Sequence, residues 1–452
     1  MGWISWLCPG INLKRWLLLF TAGVFLCAMG LAFFFNYQIM GKAEELLFQM
    51  TYLTTGRYSN GVIMALGAIL FIVGLGAMVY GTRRLIASVV AVVLPDKNMS
   101  LIETIFMQRK LTRGPAITVL GGGTGLSTLL RGMKYITNNC TAVVTTADDG
   151  GSSGRLRQEL GIIPPGDLRN CLTALADREP VMERVMQYRF RGDSPLAGHC
   201  FGNLLIAAMA EAEGGMEAGL NAASHVLKVR GRVVPSTLAD ISLRAEMYDG
   251  TSVCGESMIP KAGKRIRRME MLPADAPAAG AAIKAIVDAD VLIFGPGSLY
   301  TSVIPNLLVE GIRDAVLKSD AVKIYICNVM TQPGETDGYG AFEHVKALID
   351  HVGVQFLDYV IVNSQNVTVA QLHQYSEEGS MPVTPDIEKI RRLGITVIPA
   401  RLISKHDLVR HEPRKLSRVL IGLIYRLRLF GKGIQFFDYF FMKQGLREMN
   451  KQ

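Results

Sequence analysis

The chain has 452 residues, of which 49% are apolar, with a formal net charge of +9; this is room for two or three ordinary domains and excludes a disordered chain. Residues 401–452 hold twelve Lys and Arg against four Asp and Glu, which leaves the rest nearly neutral and argues against a generally basic, nucleic-acid-coating protein. The seven cysteines, Cys8, Cys27, Cys140, Cys171, Cys200, Cys254 and Cys327, form no CxxC pair and are odd in number, so reduced thiols in a cytosolic domain fit better than a disulfide framework or a zinc ribbon.

Two uncharged runs come first, WLLLFTAGVFLCAMGLAFFF at 16–35 and GVIMALGAILFIVGLGAMVY at 61–80. Each is about twenty residues, the length that crosses roughly 30 Å of hydrocarbon as a helix. Two such runs close together predict a two-span anchor over 1–85, not a cleaved signal, whose apolar core is shorter. Lys14 and Arg15 precede the first run, Lys42 and Arg57 lie between, and Arg83 and Arg84 follow the second. This count biases the N-terminus mildly to the cytoplasm, and two spans return the chain there. The expected location is the cell membrane, multi-pass, with the main domain cytoplasmic. Residues 86–113 read as a juxtamembrane connector. Residues 431–452 form a tail of mixed basic and aromatic character that suits an anionic membrane surface.

Over 114–430 the pattern is strand, polar loop, helix. AITVL runs into GGGTGLSTLLRGMK, and TAVVTTADD into GGSSGRLRQEL; VLIFGPGSLYTS, AVKIYICNVM, YVIVNS and TVIPARL repeat the theme. Alternation of this kind predicts an α/β domain with a Rossmann-like, doubly wound, mostly parallel sheet.

Ligands of such sheets bind beyond the C-terminal strand ends, where the glycine loops fall. Gly121, Gly122, Gly123, Thr124 and Gly125 end one strand and open a helix, so their N–H groups suit a phosphate. Leu126 stands where a dinucleotide fingerprint wants a third Gly or Ala, and no P-loop lysine motif is present. Asp148 and Asp149 precede Gly150, Gly151, Ser152, Ser153 and Gly154; acids there hold a ribose hydroxyl, hold Mg2+ beside a phosphate, or cap a turn. Arg155 suits a phosphate, whereas Arg157 reads as a solvated helix residue. Asp167 and Asn170 lie in PPGDLRNCL, with Asp167 placed to cap its own helix. His199 and Asn203 are four apart, with no HExxH arrangement and no third ligand, so His199 reads as a donor to a ligand and not as a zinc ligand. Gly295, Gly297, Ser298, Tyr300 and Thr301 form a second strand-to-glycine loop. Asn328, Thr331, Gln332, Glu335 and Thr336 offer groups suited to a base or sugar at a third. The basic run KAGKRIRR, 261–268, reads as a solvated loop. No hydrolase elbow or triad order appears. The residues by themselves reach a phosphate-and-polyol ligand, with Mg2+ an option, and stop short of a reaction.

Taken in order, GGGTGLSTLLRGMK, TTADDGGSSGRLRQELGIIPPGDLRNCL, GHCFGN, FGPGSLYTSVIPNLLV and CNVMTQPGETDG resemble the YvcK-type gluconeogenesis factor proteins of the CofD-like superfamily, named for 2-phospho-L-lactate transferase. The resemblance spans residues 115–425. It implies a modified Rossmann-like sheet and a site for a UDP-N-acetylglucosamine-type nucleotide sugar, lined by 121–125, Asp148, Asp149 and the loops 295–301 and 328–336. It implies a regulator of cell shape and cell-wall synthesis during gluconeogenic growth; ligand-type loops with no nucleophile or general base of a familiar pattern favour a non-catalytic one, and turnover stays open. The transferase branch implies the alternative, Mg2+-dependent transfer of a phospholactyl-type group from a nucleotide-diphosphate carrier to a deazaflavin. A membrane scaffold for a wall-synthesis complex is a third reading. The partners expected are a UDP-sugar or related nucleotide, the membrane, cell-wall synthesis proteins and a second copy of the chain, with no nucleic acid. The two spans are additional to the cytoplasmic pattern of this branch.

Overall fold

The computed structural model describes residues 13–34, 60–93 and 111–427 apart from 113, 178, 369–371, 373–378 and 404–409, with isolated residues between 41 and 53. The tail 431–452 and residues 94–110 of the expected connector lie outside the described residues. Contacts divide the chain into two units, Met1–Phe106 and Met107–Gln452.

The first unit is a pair of helices, Leu13–Phe34 and Asn60–Val93. Their apolar windows, Trp16–Phe34 and Met64–Ser88, have mean hydropathies of 2.4 and 2.1 and are long enough to cross a bilayer. The second helix runs on past the end of its apolar run at Tyr80, to Val93. The pair packs backbone against backbone. A Cβ on Gly23 would stand 2.7 Å from the Gly74 carbonyl oxygen, and one on Gly30 2.7 Å from that of Gly67. Small residues at such crossings are how helices associate where lipid removes the hydrophobic drive. At one end the Arg84 guanidinium lies 5.4 Å from the ring centroids of both Trp16 and Tyr80, a grouping suited to a membrane–water boundary.

The second unit is built on seven strands: β1 (Ile117–Gly121), β2 (Cys140–Val144), β3 (Arg232–Pro235), and then, after three strands of another sheet, β7 (Val291–Phe294), β8 (Val322–Ile326), β9 (Tyr359–Asn363) and β10 (Thr396–Ala400). Their order is β10-β9-β8-β7-β1-β2-β3, and every neighbouring pair is parallel. The chain winds outward from β1 to β3, returns to lie beside β1 as β7, and winds outward the other way. The β1–β7 boundary is therefore the point where the winding reverses. Alternate residues feed two cores, one on each face. Leu120, Leu292, Phe294, Tyr325 and Val360 enter the first, and Val119, Ile293, Ile326 and Ile361 the second. Both faces are covered, which is why these strands read as nearly unbroken apolar runs.

A second sheet, β5-β4-β6, is antiparallel and was not foreseen from the sequence. It comprises β4 (Ser242–Met247), β5 (Ser252–Cys254) and β6 (Ile266–Leu272). Leu243, Ala245 and Met247 join the first core while Arg244 and Glu246 face outward. The basic run 261–268 is not simply a loop, because Ile266 begins β6 and is 1% exposed.

Phe294 is fully buried against Phe356, with ring centroids 5.3 Å apart and edge to face. Phe294→Ala is expected to cost about 3–5 kcal/mol of stability, measured by denaturant unfolding. Because Phe294 is the residue before the Gly295 loop, the same variant is expected to weaken ligand binding there.

Candidate functional site

The reversal point brings two glycine loops together. β1 leads through Gly122 into the helix Gly123–Met133, and β7 leads through Gly295–Ser298 into the tight turn Leu299–Val303. Gly123 and Gly295 have φ of +65° and +74°, the left-handed region that favours glycine. A Cβ on Gly125 would stand 2.6 Å from the Pro296 carbonyl oxygen and 2.8 Å from Gly297 Cα, and one on Gly297 would stand 3.2 Å from the Gly122 carbonyl oxygen. No side chain fits between these backbones.

Over them opens a cavity of about 430 Å³ lined by Gly122, Gly123, Thr124, Gly125, Gly297, Ser298, Asn328, Thr331 and Gln332 among others. The third loop is locked onto the second. Asn328 Nδ2 donates to the Gly297 carbonyl at 2.9 Å, and Gln332 Nε2 donates to Ser298 Oγ at 2.7 Å. Thr331 is pinned to Met381 by both its N–H and its hydroxyl, at 2.7 and 2.8 Å. The first-turn amides of a helix lack partners within it and favour an anion.

Beside this cavity the acids gather. Asp167 does not cap its own helix, Gly166–Leu175, whose N-cap is Pro165. Its Oδ2 instead accepts the Gly123 N–H at 2.7 Å, capping the helix that starts the glycine loop. Burial, then the charge of Asp148, pushes the Asp167 carboxyl up to about 6 against the pull of the Gly123 N–H and Arg169. Asp148 Oδ1 accepts the Gly150 N–H at 3.0 Å, and Asp149 Oδ1 accepts the Ser257 N–H at 2.9 Å. Glu256, beside Ser257, is pushed up to about 8 by burial and then by Asp148, Asp167, Glu335 and Asp149. Glu335 is 5% exposed; it takes the Thr301 hydroxyl at 3.2 Å and is pushed up to about 7 by burial, against that hydroxyl and the N–H groups of Tyr300 and Thr301.

A second cavity of about 240 Å³ is lined by Asp148, Gly150, Ser152, Ser153, Asp167, Arg169, Asn170, Arg189 and Asn203, with Gly151 and Gly166. The helix Phe201–Ala212 begins after His199, yet His199 and Asn203 still converge on one atom. Ser152 Oγ accepts from Asn203 Nδ2 and from the Cys200 N–H, both at 3.1 Å, which leaves its own proton for His199 Nδ1 at 3.2 Å. His199 is 2% exposed and Asn203 1%, so this group is a buried support for the cavity wall.

Some expected contacts lie elsewhere. Tyr300 turns into the first core, where its hydroxyl meets that of Tyr339 at 2.8 Å. Thr336 is fully buried, its hydroxyl holding the Gln332 N–H at 2.9 Å. Arg155 donates to the carbonyls of Ala197 and Pro195 at 2.8 and 3.2 Å, pinning that loop. Arg157, expected to be solvated, is ion-paired with Asp240, and its side chain is 13% exposed. Conversely, Glu256, Arg189 and His411 were not singled out from the sequence. Glu256 and Arg189 arrive from a strand loop and a helix end distant in the chain, and no local pattern marks them. Arg169 stood inside the PPGDLRNCL turn but carried no signal of its own. His411 lines the first cavity, donates Nε2–H to the Cys327 carbonyl at 3.1 Å, and is pushed down to about 4 by burial.

The acids fit a divalent cation. Asp148 and Asp149 each leave one carboxylate oxygen without a hydrogen bond among the described residues, and their charges help to raise Asp167 and Glu256 nearby. No three His, Cys, Asp or Glu side chains stand at metal-holding spacing among the described residues. Mg2+ commonly takes only one or two carboxylates, with phosphate oxygens and water completing its shell.

The family model described as 2-phospho-L-lactate transferase CofD matches residues 117–403. A gluconeogenesis factor of Bacillus subtilis strain 168 is 48% identical over 311 residues, 69% of this chain and 98% of its own length. A protein of Nostoc sp. PCC 7120, also carrying a gluconeogenesis-factor name, is 46% identical over 425 residues, 93% of this chain and 92% of its own, so its match reaches into the first unit. A crystal structure from Bacillus halodurans is 48% identical, covers 68% of this chain and 99% of that one, and has a TM-score of 0.66; it is described as a member of the UPF0052 family.

Glu256 holds its proton in the folded state from pH 4.5, where it ordinarily ionises, up to about pH 8. Stability therefore falls as pH rises through that window. Glu256→Gln is expected to melt like the parent chain near pH 4.5 and above it at pH 8.5, by calorimetric scan. Equal melting temperatures at both pH values would remove the acid-cluster account.

Proposed function

This chain belongs to the 2-phospho-L-lactate transferase CofD family, and we propose that within it the chain is a gluconeogenesis factor that binds a phosphorylated nucleotide ligand, of the UDP-sugar type, at the β1–β7 reversal point. The observation that carries this reading is the first cavity, where two glycine loops approach with no side chain between them beside the first turn of a helix. Backbone amides there receive a diphosphate. The amide and hydroxyl groups of Ser298, Asn328, Thr331 and Gln332 face a base or sugar. In this reading the chain senses its ligand and regulates cell shape and wall synthesis during gluconeogenic growth; the names of its relatives support the gluconeogenesis part alone. The two apolar helices tether it to the membrane, with the α/β domain in the cytoplasm.

A second reading, transfer of a phospholactyl-type group from a nucleotide-diphosphate carrier to a deazaflavin with Mg2+, is favoured by one observation, the acids Asp148, Asp149, Asp167 and Glu256 beside the phosphate-type cavity. Bound there, Mg2+ would supply charge neutralisation at the phosphates. Asp148 and Asp149 would hold it, and Asp167 would keep the glycine helix in place.

Calorimetry on the full chain in detergent micelles tests the two. UDP-N-acetylglucosamine is expected to bind with micromolar affinity and without turnover. Gly125→Val, whose Cβ would stand 2.6 Å from the Pro296 oxygen, is expected to lose that binding. If GDP and a deazaflavin bind instead and product forms with Mg2+, the transferase reading replaces the regulator.

The anchor has its own test. The full chain is expected to sediment with membranes and resist carbonate extraction, and a chain beginning at Met107 is expected to stay in the supernatant.

A further inference from the structure

The second cavity holds a buried cation whose hydrogen bonds all go to neutral amides. Arg169 is 9% exposed. Its Nη1 donates to Asn203 Oδ1 at 2.7 Å and its Nη2 to Asn170 Oδ1 at 2.9 Å, both neutral amides, and its Nε has no partner among the described residues. A guanidinium withdrawn from water and bonded only to dipoles is costly. Asp167 and Asp148 line the same cavity, and the Arg169 charge draws the Asp167 carboxyl down, but the hydrogen bonds of these acids go to backbone, Asp167 to the Gly123 N–H at 2.7 Å and Asp148 to the Gly150 N–H at 3.0 Å, and neither closes an ion pair on the fork.

The position of Arg169 is also built for. A Cβ on Gly202 would stand 2.7 Å from Arg169 Cδ, so the glycine leaves room for the stem. Asn203, which holds Nη1, is itself held by Ser152, whose oxygen is saturated by Cys200, Asn203 and His199. That chain of bonds fixes the fork before any ligand arrives. Arg189 lines the cavity too, as does the start of the helix Gly151–Leu160, a position that favours an anion.

We propose that this second cavity is an oxyanion subsite, distinct from the glycine-loop cavity, in which Arg169 receives a phosphate or carboxylate group. Its volume of about 240 Å³ suits a small group and not a nucleoside. The oxyanion belongs either to an acidic group on the sugar end of the nucleotide ligand or to a second, separate molecule. The proposal adds to the nucleotide reading and stands or falls apart from it.

The test is calorimetry of the full chain in detergent micelles with inorganic phosphate, at fixed Mg2+, with and without saturating UDP. Arg169→Gln is expected to weaken phosphate binding by roughly tenfold or more while leaving UDP binding in place, since a charge-assisted fork is lost. Arg169→Lys keeps the charge, lacks the fork and is expected to fall between; it serves in its place if the Gln variant shows no cooperative melt. Gly125→Val is expected to do the reverse, losing UDP and keeping phosphate. Phosphate that binds the UDP-saturated chain undiminished, and does not displace UDP-glucuronate, whose sugar ends in a carboxylate, marks a separate molecule. Phosphate that competes with UDP-glucuronate but not with UDP marks the far end of the nucleotide. Phosphate affinity unchanged in both Arg169 variants, or lost in Gly125→Val and kept in Arg169→Gln, overturns the subsite and leaves the nucleotide reading untouched. Phosphate binding that depends on Arg169, with no nucleotide binding at all, does the opposite.

Discussion

Backbone meets backbone where residues 122–125 pass residues 296 and 297, and much else follows from that contact. A single added Cβ at Gly125 would intrude to 2.6 Å on a carbonyl oxygen, so the strands β1 and β7 bring their loops together only while the facing positions Gly125 and Gly297 stay free of side chains. The parallel pairing of Ile117–Leu120 with Val291–Phe294 sets the register that makes them coincide. The two hydrophobic cores, one on each face, hold that register by burying alternate residues of every central strand. The third loop then has a fixed surface to bond, through Asn328 and Gln332.

Electrostatics shape the neighbourhood as much as packing does. Asp167 couples the two cavities. It caps the glycine helix on one side and lines the second cavity on the other. Burial raises Asp167, Glu256 and Glu335 toward the neutral range, and neighbouring acids add to it at two of them, Asp148 at Asp167 and Asp148, Asp167, Glu335 and Asp149 at Glu256. Such accumulation is a destabilising arrangement in a folded domain, and sites keep it where a cation or a charged ligand offsets it. Arg169, held by amides and not by acids, is the positive counterpart on the same wall.

The first unit is packed by a different device. Between its helices Gly23, Gly30, Gly67 and Gly74 let the backbones approach closely, the small-residue packing by which helices associate in lipid. The same residue type thus serves both units for one reason, the absence of a Cβ, but in one it lets two loops meet beneath a cavity and in the other it closes a helix pair.

The amino-acid sequence by itself determined the apolar helices, the α/β alternation, the mostly parallel sheet and the family, because each is written within runs of ten to thirty neighbouring residues as hydropathy, period and turn chemistry. It also marked the three strand-end loops, since glycine after an apolar run is a local signal. Only the tertiary structure decided how those loops divide. It separated the glycine cavity from the Arg169 cavity, sent Tyr300 and Thr336 into the interior, and gave Asp167 a helix other than its own to cap. It brought Ser257, with Glu256 beside it, to Asp149 across 108 residues, and placed β4, β5 and β6 as a separate antiparallel sheet against the first core. The physical reason is common to all of these. A side chain's direction and its distant neighbours depend on how the sheet stacks its helices, and no period within a short window encodes that.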